Sequence, residues 1–78
     1  MKIELYTTSA CHLCELAEQL VEASPRWAVI QLEKVEISDS DELMERYGIR
    51  IPVLRRDDGA ELGWPFGGEE LEQFLASE

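Results

Sequence analysis

The chain has 78 residues, enough for one domain that buries only about 60–65% of its unfolded surface. Seven basic residues against seventeen acidic ones give a net charge of −10. This charge argues against a nucleic-acid partner, because a protein binds nucleic-acid phosphates through a stripe of basic residues on its surface. Two cysteines are too few for a secreted disulfide scaffold, and the sequence has neither a signal-peptide pattern nor a long apolar stretch. We therefore expect one domain over residues 1–78, a cytoplasmic monomer with no membrane partner.

The first part of the chain predicts a strand followed by a helix. Ile3 to Tyr6 form a short apolar run, and Thr7-Thr8-Ser9 has the composition of the loop that follows it. From Leu13 the apolar period becomes that of a helix, which should end or bend at Ser24-Pro25. The predicted apolar face of this helix comprises Leu13, Ala17, Leu20 and Val21.

The segment at residues 27–37 is strand-like, but its apolar residues change parity. Ile30 and Leu32 share one parity, whereas Val35 and Ile37 share the other. A bulge between Leu32 and Val35 would reconcile the two pairs, as would a strand that begins only there. The sequence leaves both alternatives open.

A second helix is predicted between this segment and residue 48. Asp39 followed by Glu42 resembles a capping box at its start. Gly48 lies where a left-handed residue would close the helix. The apolar face comprises Leu43, Met44 and Tyr47.

The last part of the chain predicts a hairpin and a third helix. Asp57-Asp58-Gly59 separates extended runs at 49–55 and 60–62, and Asp-Gly between such runs indicates an antiparallel hairpin. Glu69 and Glu70 fit the first turn of a final helix, whose dipole favours acids there. Its apolar face comprises Leu71, Phe74 and Leu75. The predicted order is βαβαββα, an α/β fold with a four-stranded mixed sheet and three helices.

Three motifs carry a resemblance to a known family. Leu5-Tyr6-Thr7 before Cys11-x-x-Cys14, with Ile51-Pro52-Val53 at the hairpin, resembles a glutaredoxin, the minimal thioredoxin fold. The chain is more similar still to a bacterial family of small glutaredoxin-like proteins, through Cys-His-Leu-Cys, the run Tyr47 to Leu54, and Trp64-Pro65-Phe66. The resemblance implies a dithiol oxidoreductase that reduces protein or glutathione mixed disulfides, with no bound cofactor and glutathione as a candidate co-substrate.

The chemistry of the cysteines follows from their position. A helix N-terminus offers N–H groups and a partial positive charge, which stabilise a thiolate. Cys11 lies at that end and should attack the substrate disulfide, whereas Cys14 lies one turn inside and should resolve the mixed disulfide. His12, if protonated, would stabilise the thiolate; the alternative is that it stays neutral and helps to end the loop. Leu13, inside the motif, is a candidate substrate contact.

The resemblance also implies a docking wall opposite the cysteines. In the thioredoxin fold a cis-proline faces the reactive pair, here Pro52, and the preceding residue, Ile51, would offer its backbone to a substrate strand. Arg50 replaces a threonine that is common in glutaredoxins, and it either adds positive charge near the thiolate or is a solvated arginine. Thr8 stands where glutaredoxins usually carry a lysine.

Two places in this chain are candidates for the glycine pair that binds glutathione in glutaredoxins. Gly63-Trp64 occupies its place when counted from Pro52, and Gly67-Gly68 comes four residues later, before an acidic residue. Gly63 and Trp64 are therefore substrate-binding candidates, with Gly67-Gly68 as the alternative. The segment Trp64-Pro65-Phe66 would either close the groove beside the cysteines or cover the core, and we favour the core.

Two other functions compete with disulfide exchange. Cys-x-x-Cys also binds zinc, but one chain offers at most three ligands in one place, so a metal or iron–sulfur cluster would have to be shared between two chains. We predict no metal site within the chain. The second alternative is a binding module of thioredoxin fold that has no catalytic activity.

Overall fold

The computed structural model describes residues 1–77, and these residues have the predicted order of strands and helices. The sheet comprises β1 (Lys2–Thr7), β2 (Gln31–Glu36), β3 (Val53–Arg56) and β4 (Glu61–Gly63). The α-helices are α1 (His12–Glu22), α2 (Asp41–Tyr47) and α3 (Gly68–Ala76). Two 3-10 turns, Trp27–Val29 and Ile37–Asp39, flank β2. The predicted α/β fold is therefore confirmed.

The strands lie in the order β2-β1-β3-β4. β1 pairs parallel to β2 and antiparallel to β3, and β3 pairs antiparallel to β4 across the predicted hairpin. Tyr6 faces Val53 in the register, so the end of β1 and the start of β3 lie at the same edge of the sheet. This edge is where the chain leaves β1 toward the cysteines.

Helices cover both faces of the sheet. α1 and α3 pack on one face, around Ile3, Leu5 and Leu54, which are all almost fully buried. α2 covers the other face, where Tyr47 meets Tyr6 and Val53. Burying one such side chain contributes about 1.5–3 kcal/mol.

This two-sided burial explains the parity change at residues 27–37. Leu32 packs against the first cluster and Val35 against the second, because residues an odd number of positions apart in a regular strand face opposite sides of the sheet. The register with β1 runs unbroken from Gln31 to Glu36, so β2 contains no bulge and begins earlier than the second alternative required. Both alternatives were wrong, because each assumed that all four apolar residues face one side. Ile30 and Leu32 face the first cluster, whereas Val35 and Ile37 face the second.

The helix boundaries bring further corrections. Leu13 is 45% exposed rather than part of the core face of α1, because the buried positions of that helix are Cys14, Ala17 and Val21. α2 is capped by Ser40, whose Oγ accepts from Leu43 N–H at 3.3 Å. The predicted Asp39 cap is wrong since that residue ends the preceding 3-10 turn.

Gly48 differs from its prediction as well. Its φ of −52° and ψ of −35° are right-handed, so α2 does not end in a left-handed residue. The Gly48 N–H donates to the Met44 carbonyl at 2.8 Å, and a Cβ at this position would collide with that same oxygen. Glycine is needed here for close approach rather than for a positive φ.

The hairpin and α3 anchor each other through one arginine. Arg56 is 8% exposed, and its Nε donates to Asp58 Oδ1 at 3.1 Å while its Nη1 donates to the Phe74 carbonyl at 2.6 Å. Gly59 has a φ of +90°, as the predicted turn requires. The predicted apolar face of α3 is buried, which confirms that helix. Every helix within residues 1–77 is too short or too polar to span a lipid bilayer.

Candidate active site

The two cysteines lie at the junction of the β1 loop and α1. Cys11 is the N-cap of α1, with an extended backbone (φ −96°, ψ 102°), and Cys14 lies one turn inside the helix. The Cys14 N–H donates to Cys11 Sγ at 3.2 Å. The Cys11 sulfur thus occupies the place where a capping oxygen normally accepts from the first helical turn, a position that stabilises negative charge.

The pair forms a disulfide, with a Cα–Cα separation of 5.2 Å. Its two members differ in access, since Cys11 is partly exposed whereas Cys14 is 3% exposed. A thiol or a substrate disulfide approaching from solvent therefore meets the Cys11 sulfur first. This asymmetry is what an attacking and a resolving cysteine require.

The loop before Cys11 is held by a carboxylate at the end of β2. Glu36 accepts from the Ser9 N–H at 3.1 Å and from the Ser38 N–H at 3.2 Å. A hydrogen bond from the Thr8 hydroxyl, followed by that from the Ser38 N–H, lowers the pKa of Glu36. Ala10, the residue before Cys11, has a φ of +61°, in the left-handed region that alanine rarely adopts. Glu36 was not predicted from the sequence as a site residue. The available signal was its place at the end of β2, which pairs parallel to β1 and so ends beside the same loop.

A cleft of about 350 Å³ opens beside the disulfide on the β2 side. It is lined by the loop at residues 7–10, by both cysteines and by four charged side chains. These are Glu15, Glu18, Lys34 and Glu36. Lys34 Nζ lies 3.2 Å from Glu18 Oε2, so β2 and α1 are linked across the cleft. Sequence reasoning also missed Glu18, although its i+4 spacing from Cys14 was visible.

The two residues between the cysteines both face solvent. The His12 side chain is largely exposed, and its Nδ1 lies 3.7 Å from Glu15 Oε2. The imidazole of His12 therefore lies against a carboxylate of its own helix. Leu13 presents an apolar side chain next to the reactive pair, which suits contact with a protein substrate. Its role, like that of His12, stays a prediction.

Pro52 directly precedes β3, which pairs with β1 on the side opposite to β2. Because Val53 faces Tyr6, Pro52 falls beside Thr7, at the edge from which the loop leads to Cys11. The Ile51–Pro52 peptide bond is cis, and the Pro52 carbonyl accepts from the Trp64 N–H at 3.0 Å. The Ile51 N–H donates to the Tyr47 carbonyl at 3.0 Å, so a substrate strand would compete with this bond.

Arg50 lies over α2 and β4. Its Nη2 is 3.2 Å from Glu61 Oε1, and its guanidinium lies 5.4 Å from the centre of the Tyr47 ring. Burial, followed by a hydrogen bond to Glu61, raises the pKa of Tyr47 to about 12. Arg50 is thus an exposed arginine whose guanidinium is directed to Glu61 and the Tyr47 ring, and a role near the thiolate stays a prediction.

Neither glycine pair lines the cleft. Gly63 ends β4 with open space where a Cβ would be, whereas Gly67 caps α3 and donates its N–H to Glu70 Oε2 at 3.2 Å. Trp64 is partly buried against the core and meets Phe66 edge-on at 5.2 Å between ring centres. The favoured core-packing interpretation of these aromatic residues agrees with this geometry.

Metal ligands do not gather around the cysteines. Across residues 1–77 no three side chains of the His, Cys, Asp or Glu type are placed to hold one metal ion. The groups near the disulfide are instead a helix N-terminus, an ion pair and backbone N–H donors. These groups can stabilise thiolates and exchange protons.

Comparison with known proteins places the chain in a family. The profile described as Glutaredoxin-like domain (DUF836) matches residues 2–76. The crystal structure of protein XcR50 from X. campestris, a Northeast Structural Genomics target, is similar with a TM-score of 0.86, 34% identity and 97% coverage of each chain. The solution structure of the same target has a TM-score of 0.85 and 35% identity, covering 100% of this chain and 96% of that one.

A more distant likeness shows the fold alone. A structure described as that of a malarial protein has a TM-score of 0.59 at 14% identity, covering 97% of this chain and 93% of that one. The search of curated proteins finds no match to the chain. The profile match over residues 2–76 and the agreement of the fold lead to one conclusion. The chain belongs to the glutaredoxin-like domain family (DUF836).

Proposed function

We propose that this protein is a dithiol oxidoreductase that exchanges disulfides with protein substrates through Cys11 and Cys14. The observation that supports it best is the Cys11 sulfur at the N-cap of α1, accepting from the Cys14 N–H at 3.2 Å. In the reduced protein, the same N–H and the helix dipole stabilise a Cys11 thiolate relative to the free thiol, whose pKa is about 8.5.

Each cysteine then has a distinct role. The exposed Cys11 thiolate attacks the substrate disulfide, and one substrate thiolate leaves as the mixed disulfide forms. Cys14 attacks Cys11 Sγ, which closes the intramolecular disulfide and releases the second substrate thiol. The 5.2 Å between the Cα atoms allows this closure.

A protein substrate fits the surroundings better than glutathione does. Glutathione is anionic, whereas the chain carries a net charge of −10 and the cleft at the disulfide presents three carboxylates against one lysine. Leu13, which is 45% exposed beside Cys11, offers apolar surface to a polypeptide. We propose the reducing cytoplasm as the compartment and reduction as the direction, since a free pair would be maintained there.

A pair of assays tests the proposal. Reduction of a glutathione mixed disulfide and of insulin, the latter coupled to a disulfide reductase, should show activity on insulin that exceeds activity on the glutathione adduct. Cys11→Ser should abolish both. Cys14→Ser should retain attack by Cys11 and accumulate a mixed disulfide with the protein substrate, detectable by mass.

The matched control is Ser9→Ala in the same loop. It keeps both thiols and the hydrogen bond from the residue 9 backbone N–H to Glu36. It should leave activity largely intact. A wild-type protein that reduces neither substrate, in fully reduced form and with its fold intact, would contradict the proposal and favour the binding module.

A further inference from the structure

The resolving cysteine is buried, yet it borders the cleft. Cys14 is 3% exposed, and the cleft reaches it between α1 and the end of β2. A thiol must lose its proton before it can attack, and burial opposes formation of the thiolate. The inference that follows rests on the proposed function, in which Cys14 must exchange a proton at every turnover.

Charged groups face this cleft from both of the elements that bound it. α1 contributes Glu15 and Glu18, and β2 contributes Lys34 and Glu36. His12, at the start of α1, lies against Glu15 with 3.7 Å between Nδ1 and Oε2. Among the side chains that line the cleft, the three carboxylates are the candidate proton acceptors for Cys14.

Two of these carboxylates are engaged elsewhere. Glu36 accepts from the backbone N–H groups of Ser9 and Ser38, and its pKa is lowered by the hydrogen bond from the Thr8 hydroxyl and then by that from Ser38. The Glu15 side chain is 67% exposed and lies against the imidazole of His12. Both oxygens of the first are occupied by hydrogen bonds that hold the loop, and the second faces bulk water.

Glu18 has the position that Cys14 requires. It follows Cys14 by four residues, so the two side chains project from the same face of α1. Its side chain is 27% exposed, and its Oε2 meets Lys34 Nζ at 3.2 Å. Lys34 reaches across from β2 and fixes the position of this carboxylate at the cleft.

We propose that Glu18 is the proton acceptor for Cys14 and that Lys34 positions it. The Cys14 thiol gives its proton to the Glu18 carboxylate, directly or through one water in the cleft, and the thiolate attacks Cys11 Sγ of the mixed disulfide. The bond between the two cysteine sulfurs forms, and the bond between Cys11 and the substrate sulfur breaks. The substrate thiolate leaves with the electron pair and takes up the proton. The cysteine pair is oxidised by two electrons, and the substrate disulfide is reduced by two.

A single-turnover reaction tests this role. Reduced protein is mixed with a small aromatic disulfide whose released thiolate is coloured, so that the first equivalent reports attack by Cys11 and the second reports resolution by Cys14. Glu18→Gln should keep the first phase and slow the second about 10²-fold near neutral pH. The control Glu22→Gln, one turn further along α1 and outside the cleft, should change neither phase.

A purely electrostatic influence of Glu18 has the opposite sign. Removing a negative charge near Cys14 favours its thiolate, so Glu18→Gln in the Cys11→Ser background should lower the pKa of Cys14, measured by thiolate absorbance against pH. Slower resolution despite a lower thiol pKa identifies the loss of a proton acceptor. A second phase that is unchanged or faster in Glu18→Gln would overturn the proposal.

Two variants of Lys34 test the positioning role from the other side of the cleft. Lys34→Gln should slow resolution, and Lys34→Arg should restore it because the charge opposite Glu18 is kept. In Glu18→Gln the rate of the second phase should rise about tenfold per pH unit below the thiol pKa, since only thiolate formed by solvent reacts. The wild-type profile should be flatter; equal slopes would contradict the proposal.

The outcome can be separated from that of the proposed function, because the aromatic disulfide does not depend on the natural substrate. A protein that resolves this disulfide with the predicted Glu18 dependence but reduces neither insulin nor glutathione adducts would refute the proposed substrate and keep the proton acceptor. Full activity of Glu18→Gln on insulin would refute the proton acceptor and keep the proposed function.

Discussion

The two sides of the reactive disulfide are built differently. On the β2 side, charged side chains line an open cleft, and Glu18 and Lys34 meet across it. On the β3 and β4 side, polar groups are used within the protein, as Arg50 and Tyr47 show by sharing Glu61. The first side can exchange protons with the sulfurs. The second side, called the wall below, is held in place by the hydrogen bonds among Tyr47, Arg50 and Glu61.

This difference separates two kinds of mutational effect. Changes to the buried side chains on the β3 and β4 side, such as Tyr47, should reduce the free energy of unfolding, because they lose packing and hydrogen bonds. Changes in the cleft should alter thiol reactivity with little loss of stability, because exposed ion pairs contribute about 0–1 kcal/mol. Loss of stability and change of thiol reactivity should therefore occur in different sets of variants.

Tyr47→Ala should have the largest effect on stability. The Tyr47 ring is 1% exposed, stacks on Tyr6 with 4.3 Å between ring centres, and donates its hydroxyl to Glu61 at 2.6 Å. We expect the free energy of unfolding to fall by about 3–5 kcal/mol, measured by urea denaturation. Tyr47→Phe keeps the ring and loses the hydrogen bond, so it should lose about 1 kcal/mol. Equal losses in both variants would show that the ring does not support the wall.

Ala10→Val should have an intermediate effect. Ala10 is exposed and has a φ of +61°, so a β-branched residue there adds backbone strain without changing core packing. We expect a loss of about 1–2 kcal/mol in urea denaturation. Ala10→Gly, the matched control, should stay within about 1 kcal/mol of wild type because relief of strain offsets the entropy of glycine. A stable Val variant would mean that the loop adopts another conformation in solution.

Acid should weaken the fold through carboxylates on both sides. The pKa of Glu61 is lowered by the Tyr47 hydroxyl and then by Arg50, and that of Glu36 by Thr8 and Ser38. Groups with a lowered folded-state pKa stabilise the protein above the unfolded value, and this contribution is lost as pH falls through the folded value. The urea midpoint should therefore decrease below about pH 4. In Glu36→Gln that decrease should be smaller; an identical pH dependence would contradict the assignment.

Arg50→Ala should have the smallest effect. The Arg50 side chain in its ion pair with Glu61 is half-exposed. The free energy of unfolding, measured by urea denaturation, should therefore fall by no more than about 1 kcal/mol. Reaction of Cys11 with the aromatic disulfide should be unchanged, because the guanidinium is directed to Glu61 and Tyr47. Arg46→Ala, which removes the other guanidinium near the Tyr47 ring, is the control. A slower Cys11 reaction in Arg50→Ala alone would show that this arginine acts on the thiolate.

The sequence predicted what depends on local spacing. The interval from Cys11 to Cys14 fixes a pair at a helix N-terminus, and Asp58-Gly59 specifies the hairpin, so both were visible without coordinates. The cap of α2 was misplaced by one residue, because Asp39 and Ser40 are both good capping residues and the 3-10 turn decides between them.

Features that depend on distant pairing could not be predicted. Glu36 meets Ser9, and Lys34 meets Glu18, only because β2 lies parallel to β1 in a particular register. The sequence left two roles open for Arg50, a charge near the thiolate or a solvated arginine, because its partner Glu61 comes from the other strand of the hairpin. The cleft beside the disulfide therefore required the tertiary structure.

The most direct test of the central claim is the equilibrium of the Cys11–Cys14 disulfide with a thiol–disulfide buffer. The pair should open and close reversibly, with a potential between about −180 and −280 mV, the range of glutaredoxin- and thioredoxin-like dithiols. The fold should be the same in both states by circular dichroism. A pair that does not equilibrate with the buffer while the protein stays folded would contradict the account.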